Sequence, residues 1–299
     1  MHDPAQLAAL ESVLRLGAFD AAASELNVTP SAISQRIRAL EDRVGAPLVL
    51  RGTPALPTET GSRLARHARD IALLEADLAR DLGRHVPARL RVAINADSLD
   101  TWAIPALAQT EFLFDIVVED ESVSWQRLRD GDVTAAITAR AAPVQGCEVT
   151  PLGVMRYTAT CAPAFHARYF ASGVTPDALA RAPMLDFSGK DVLQRGWLAG
   201  WTGQRLSPPT HHLPSTHGFV TAALCGLGWG LNPLPLVAAH LASGALVEMV
   251  PDHVRAVPLY WQTRSLTAQA IRPLTRALRR AAATALPEVA DPQGPETSD

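Results

Sequence analysis

The 299-residue chain predicts an α/β protein in two parts, a small all-α unit at the N-terminus and a larger, two-lobed α/β region behind it. Three observations carry that prediction. Residues 18–40 have the pattern of two short helices joined by a tight turn. Residues 58–82 repeat an apolar side chain at seven-residue spacing. From residue 90 onward, strand-like and helical stretches alternate.

The first helix is expected over residues 4–16, with Leu7, Leu10, Val13 and Leu14 on its apolar side. Next comes a small-residue helix in which Ala21, Ala22, Ala23 and Leu26 can pack closely against a neighbour, and the chain breaks at Asn27-Val28. Thr29 then offers an N-cap oxygen, and Pro30 takes the first helical position, where its missing N–H costs nothing. In the helix that follows, Ile33, Ile37 and Leu40 form one apolar stripe, while Ser31, Ser34, Gln35 and Arg38 fall opposite. Such side chains donate to phosphates and read base edges when a second helix lies in the major groove of double-stranded DNA. A merely solvated polar face is the plainer reading; the Thr-Pro start, the Ala-rich partner and the turn favour DNA.

Residues 44–47 stop this helix, and 48–51 and 55–57 form two short strands about a turn at 52–54, a small hairpin wing. Arg51 on that wing is placed to meet the backbone or the minor groove, unless the hairpin only covers the helix core. The unit spans residues 1–58. A long helix follows over 59–84, where Leu64, Ile71 and Leu78 repeat every seven residues and Leu74 takes a d-like position. The stripe predicts a dimer helix; packing on its own domain is the alternative.

In the α/β region, residues 88–287, strands are expected at 90–94, 114–118 and 134–139, with helices at 98–109 and 122–129 between them. A second set follows. Its strands fall near 156–161, 184–187, 210–213, 228–232 and 259–263, and its helices near 191–201, 217–225 and 273–286. Residues 288–299, acidic and rich in Pro, Gly and Ser, predict a disordered tail. Two lobes imply a cleft, and ligands of open α/β sheets bind beyond the carboxyl ends of strands. Asp97-Ser98 opens a helix there, whose N–H groups suit a carboxylate. Asp97, Asp120, Glu121 and Asp186 at the same rim attract ammonium or guanidinium groups. The combination suits a basic amino acid, although Asp97 and Asp120 could simply cap helices.

Composition narrows the function further. No apolar run approaches the roughly 18–20 residues of a membrane span. The N-terminus lacks a basic segment followed by an apolar block, so a cytoplasmic protein is expected. Cys147, Cys161 and Cys225 lie far apart without metal-ligand spacing, which argues against disulfides and structural zinc. The net charge of −3 rules out a general basic excess, so any footprint on DNA is local. Arg36, Arg38, Arg43 and Arg51 supply it, opposed by Glu41 and Asp42, and dimerisation doubles it. No GxSxG, P-loop, GxGxxG or HExxH is found, and His211, His212 and His217 are too few for a metal site. No enzyme, metal or cofactor is expected.

With these residues in view, the chain resembles the LysR-type transcriptional regulators. The N-terminal match is GAFDAAASELNVTPSAISQRIRALEDRVGAPLVLR, followed by PTETG. Within the family it is similar to the branch that controls export of lysine and arginine, the LysG or ArgP type. The branch is suggested by VEDE at 118–121, PVQGCE at 143–148, PLG with RY within 151–157, KDVLQRGWL at 190–198, HGFVTAALCGLGWGLNP at 217–233 and PLYWQ at 258–262. After PLYWQ the chain has Thr263-Arg264-Ser265 where related proteins place a second Trp. The resemblance implies a winged helix-turn-helix, a dimerising linker helix and a periplasmic-binding-protein-like sensor assembled as a homodimer or homotetramer. It also implies contact with RNA polymerase and a lysine, arginine or histidine co-inducer, with a basic amino-acid exporter gene as the target. Carried over by position, the DNA set is Thr29, Pro30, Ser31, Ser34, Gln35, Arg36, Arg38 and Arg51. The effector set is Asp97, Ser98, Asp120, Glu121, Thr138 and Asp186. The competing reading is an architectural or replication-origin DNA-binding protein without metabolite control.

Overall fold

The structure, a computed structural model, describes residues 2–84, 86–189 and 191–288. Residues 289–299 of the expected tail lie outside the described residues. Helix α1 (Pro4–Leu16) starts behind Asp3, whose carboxylate accepts the Ala5 N–H at 2.8 Å, and ends at Gly17 in the left-handed region. Between α2 (Phe19–Glu25) and α3 (Pro30–Val44), Asn27 takes φ of 52°, a conformation Asn tolerates better than most residues. Leu7, Leu10, Val13, Ala22, Ile33, Ile37 and Leu40 close one core.

The wing is β1 (Val49–Leu50) paired antiparallel with β2 (Leu56–Pro57). It is seated on the first turn of α4 (Glu59–Asp81). Thr58 Oγ1 accepts the Gly61 N–H at 3.0 Å, and the Thr58 N–H donates to the Leu48 carbonyl at 3.0 Å. A Cβ at Gly61 would sit 1.9 Å from that same carbonyl oxygen, so this approach of wing to helix requires glycine. Along α4, Ala68 joins the N-terminal core, whereas Leu73 and Ala76 join the core of the α/β region.

The α/β region opens with β3 (Arg89–Ile94), α5 (Ala96–Ser98), a π-helical turn (Leu99–Ala103) and α6 (Ile104–Leu107). Then come β4 (Leu113–Val118), α7 (Ser124–Arg129) and β5 (Ala135–Thr138). β4, β3 and β5 are parallel neighbours, as strand–helix alternation requires. The helix expected at 98–109 is therefore broken. It starts earlier, at Ala96, and its ladder is disrupted just before Pro105, which has no N–H to donate.

The chain continues through β6 (Cys147–Cys161), α8 (Pro163–Tyr169), α9 (Pro176–Arg181), β7 (Met184–Asp186), α10 (Leu193–Thr202), β8 (Thr210–His212) and α11 (Thr216–Leu224). It ends with β9 (Gly230–Pro233), α12 (Leu234–Ala242), β10 (Val247–Glu248), β11 (Arg255–Arg264) and α13 (Arg272–Ala285). The sequence reading placed no element at α8, α9, α12 or β10, and it found only the ends of β6 and β11. These two strands pair over most of their length and cross from one lobe to the other. β11 meets β5 of the first lobe, and β6 meets β9 and β10 of the second. The lobes thus share one seven-stranded sheet, flanked in the second lobe by the parallel pair β7–β8. Pro151 and Gly153 lie inside β6, where β11 shifts register at Leu259/Tyr260 beside them, and Gly153, with φ of 149°, lets Leu286 approach.

Candidate nucleic-acid interface and acidic cleft

Helix α3 presents its polar face because its apolar stripe is consumed: Ile33, Ile37 and Leu40 are fully buried. Thr29 Oγ1 accepts the Ala32 N–H at 3.2 Å and Pro30 takes the first turn. Ser31, Gln35 and Arg38 are exposed, and Ser34 and Arg36 are half-buried beside them. Arg51, exposed on the wing, lies 5.6 Å over the Phe19 ring. Glu41 does not simply oppose the arginines, since its Oε1 accepts the Leu48 N–H at 2.8 Å and the Val49 N–H at 3.4 Å. One acidic side chain thereby fixes the wing to the helix that carries the polar face.

The heptad residues divide. Leu64 and Ile71 are half-buried against the N-terminal core, whereas Leu74 and Leu78 stay exposed, at 40% and 59%. The α4 stripe buried within the chain runs through Ala65, Ala68, Leu73 and Ala76 instead. Arg264 forms an ion pair of 2.6 Å with the buried Asp70 of α4.

At the carboxyl end of β3, Asp97 is held from two sides. Its Oδ2 accepts the Tyr157 hydroxyl of β6 at 2.8 Å, and its Oδ1 accepts the Thr216 hydroxyl of α11 at 2.9 Å. One carboxylate of the first lobe thus touches the crossing strand and the second lobe. Burial raises its pKa against those two hydrogen bonds, and the charges of Asp191 and Asp100 add to the rise. Glu121 is pushed up to about 8, first by burial and then by the charges of Asp120, Asp97 and Asp191. Asp186 is fully buried at the end of β7 and is raised to about 6, by burial and then by Asp191, while Arg195 opposes the shift.

The predicted rim residues therefore separate. The charge of Asp97 acts on Glu121, and that of Asp191 acts on Asp97, Glu121 and Asp186. Asp120 turns back on its own loop, where Oδ1 accepts the Ser122 N–H at 2.7 Å, although its charge still acts on Glu121. Thr138 is buried in a lattice with Gln262 and Arg140, its hydroxyl 3.3 Å from the Gln262 amide, and it braces β5 against β11. Ser98 is fully buried with no hydrogen-bond partner for its hydroxyl among the described residues.

Sequence reasoning missed Asp191, Tyr157 and Thr216. Asp191 accepts the Leu193 N–H at 2.7 Å at the start of α10. Tyr157 and Thr216 hold Asp97. Asp191 was signalled only as the start of a predicted helix, and Tyr157 and Thr216 reach Asp97 through long-range pairing that local pattern does not encode. Asn95, at the carboxyl end of β3 where the sequence places the rim, is buried with neither side-chain amide atom partnered among the described residues. Among the described residues no group of His, Cys, Asp and Glu could hold a metal ion. None of their helices is long and apolar enough to cross a membrane.

Comparison with known proteins adds an independent line. Residues 4–62 match the family model "Bacterial regulatory helix-turn-helix protein, lysR family", and residues 83–283 match "LysR substrate binding domain". The chain is 42% identical over 291 residues to the "HTH-type transcriptional regulator ArgP" of Pseudomonas fluorescens, covering 95% of this chain and 98% of that one. The crystal structure of ArgP from Mycobacterium tuberculosis is similar with a TM-score of 0.81 and 40% identity, covering 97% of this chain and 100% of that one. The full-length LysG of Corynebacterium glutamicum, solved with bound effector Arg, is similar with a TM-score of 0.68 and 37% identity, covering 95% and 99%.

Proposed function

The chain belongs to the LysR family of transcriptional regulators and is of the LysG/ArgP type, and from that premise we propose that a basic amino acid bound in its acidic cleft switches how it holds DNA. The observation that carries this reading is a set of acidic side chains behind the strand ends, the half-buried Asp97 and Glu121 and the buried Asp186 and Asp191, whose charges act on one another. Carboxylates so placed repel one another and lose hydration, and a guanidinium or ammonium group relieves both. The arginine bound to the C. glutamicum relative supports the same ligand class. Lysine, arginine or histidine fits it, with Ser98 and Asn95 left to receive the amino acid's own polar groups.

In this reading Thr29, Pro30, Ser31, Ser34, Gln35, Arg36 and Arg38 of the α3 face, with Arg51 of the wing, engage DNA. Leu64, Ile71, Leu74 and Leu78 line the seam to a second copy, in a homodimer or homotetramer. Residues 1–58 read DNA, 59–84 join the copies and 88–287 sense the effector, in the cytoplasm and in contact with RNA polymerase. The regulated gene is one for export of a basic amino acid, whose removal answers the signal.

A thermal-shift screen of the purified protein against the twenty amino acids tests the effector. Ligands that bind the folded state alone raise its melting temperature by mass action. Lysine or arginine is expected to give the largest rise. A protein unmoved by either, or moved most by an acidic or apolar amino acid, would contradict the reading.

A further inference from the structure

The loop that carries Asp120 and Glu121 is one end of a clamped unit whose other end rests on helix α4. The loop lies between β4 and α7, and the turn 130–132 lies between α7 and β5. Six residues at about 1.5 Å each make α7 about 9 Å long. Hydrogen bonds fix this stretch as one body. The Asp120 carbonyl accepts the Ser124 N–H at 2.8 Å, and the Glu121 carbonyl accepts the Ala139 N–H at 2.8 Å. The buried Ser124 hydroxyl donates to the Ile137 carbonyl of β5 at 2.6 Å. Arg127 of α7 donates to Glu119 at 3.1 Å and to Asp132 at 3.0 Å, tying the residue before the loop to the turn after the helix.

That turn meets α4. The Gly131 carbonyl accepts from Arg69 Nη2 at 3.4 Å, and the Arg66 guanidinium fills the space that a Cβ at Gly131 would need. One residue further along α4, Asp70 holds Arg264 of β11. Beside the Arg69 contact runs a groove of about 1190 Å³, with Glu11 of α1, Arg69, Arg91 of β3 and Asp132 among its lining. Units that touch through a few polar groups beside open space shift more readily than a close-packed core.

We propose that Arg69 is a positioning residue whose grip on the Gly131 carbonyl passes movement of the Asp120–Glu121 loop to helix α4. The proposal rests on the amino-acid reading given above and deepens it. A cation drawn to Asp120 and Glu121 pulls on the loop, and the bonds of Ser124 and Arg127 carry α7 and its turn along. Arg69 takes α4 with the turn, and α4 seats the wing beside the polar face of α3. Arg69 belongs to neither the effector set nor the DNA set. The Arg264–Asp70 pair holds α4 on the effector domain without it.

The test is footprinting of the full-length protein on the DNA upstream of its own gene, with and without arginine, in Arg69→Met. Methionine keeps an unbranched stem and removes the donor to Gly131. The variant is expected to bind arginine in calorimetry as the wild type does, and to protect the same DNA when arginine is absent. The shift that arginine causes in the wild-type footprint is expected to be lost in Arg69→Met and regained in Arg69→Lys. Should Arg69→Met fail to fold, Arg127→Gln, at a side chain 46% exposed, is expected to diminish the same shift. A shift of wild-type size in whichever variant folds, or loss of arginine binding or of DNA binding itself, overturns the relay while leaving the effector reading intact. A wild-type protein that binds neither arginine nor lysine, or binds them with no shift, overturns both.

Discussion

Gln35 and Arg38 stand on the α3 face that the buried Ile33, Ile37 and Leu40 force outward, and they carry different chemistry. Gln35 can pair with a base edge, whereas Arg38 can do so or grip a phosphate. Alanine at a base-reading position costs about 1–3 kcal/mol on the specific site and much less on unrelated DNA, and loss of a phosphate contact weakens both alike. Gln35→Ala and Arg38→Ala are expected to lower affinity for the chain's own upstream DNA more than for random DNA, measured by fluorescence anisotropy at one salt concentration. Equal losses on both DNAs would assign the pair to the backbone. At this scale the sequence was legible where chemistry is local: Thr29, Pro30, Ser31 and Gln35 are read from neighbours within one turn. Tyr157 and Thr216 were not, because each meets Asp97 only after the crossing strand and the second lobe are in place.

Helix α4 shows what an apolar repeat does and does not settle. A seven-residue spacing says that Leu64, Ile71 and Leu78 share a side, but not what covers it. The chain's own cores take Ala68, Leu73 and Ala76, while Leu74 and Leu78 are left outward. Exposed leucines one helical turn apart are then available to a second copy. Replacing Leu74 and Leu78 together by Glu is expected to turn dimer into monomer in sedimentation velocity, with the monomer keeping its melting transition because neither side chain belongs to a core. An unchanged sedimentation coefficient would place the contact between copies elsewhere. Of strand β6 only the end near 156–161 was legible. Its first part is set by pairing with β11, and no local pattern encodes the register shift of β11 beside Pro151 or the approach of Leu286 to Gly153.

Across the whole molecule, the acidic side chains around Asp97 and the polar face of α3 are joined by one continuous chain of contacts. Asp97 ties the first lobe to β6 and α11, β6 pairs with β11, and Arg264 at the end of β11 holds Asp70 of α4. The first turn of α4 in turn seats the wing through Thr58 and Gly61, and Glu41 binds that wing to α3. Contacts alone do not make a signal; the effector must differ in its affinity for two arrangements of this chain. In the proposed reading that difference arises at Asp97 and Glu121, where a cation would offset the charges of Asp191 and their other acidic neighbours.

The central claim is that a basic amino acid in the cleft alters the hold on DNA, and footprinting on the DNA upstream of the chain's own gene, with arginine and lysine titrated in, tests it most directly. The protected region or its midpoint is expected to shift over the same concentrations at which calorimetry shows the amino acid binding, and to shift less in Glu121→Gln. A footprint that stays the same in extent and midpoint, with the cleft saturated by either amino acid, would contradict the account.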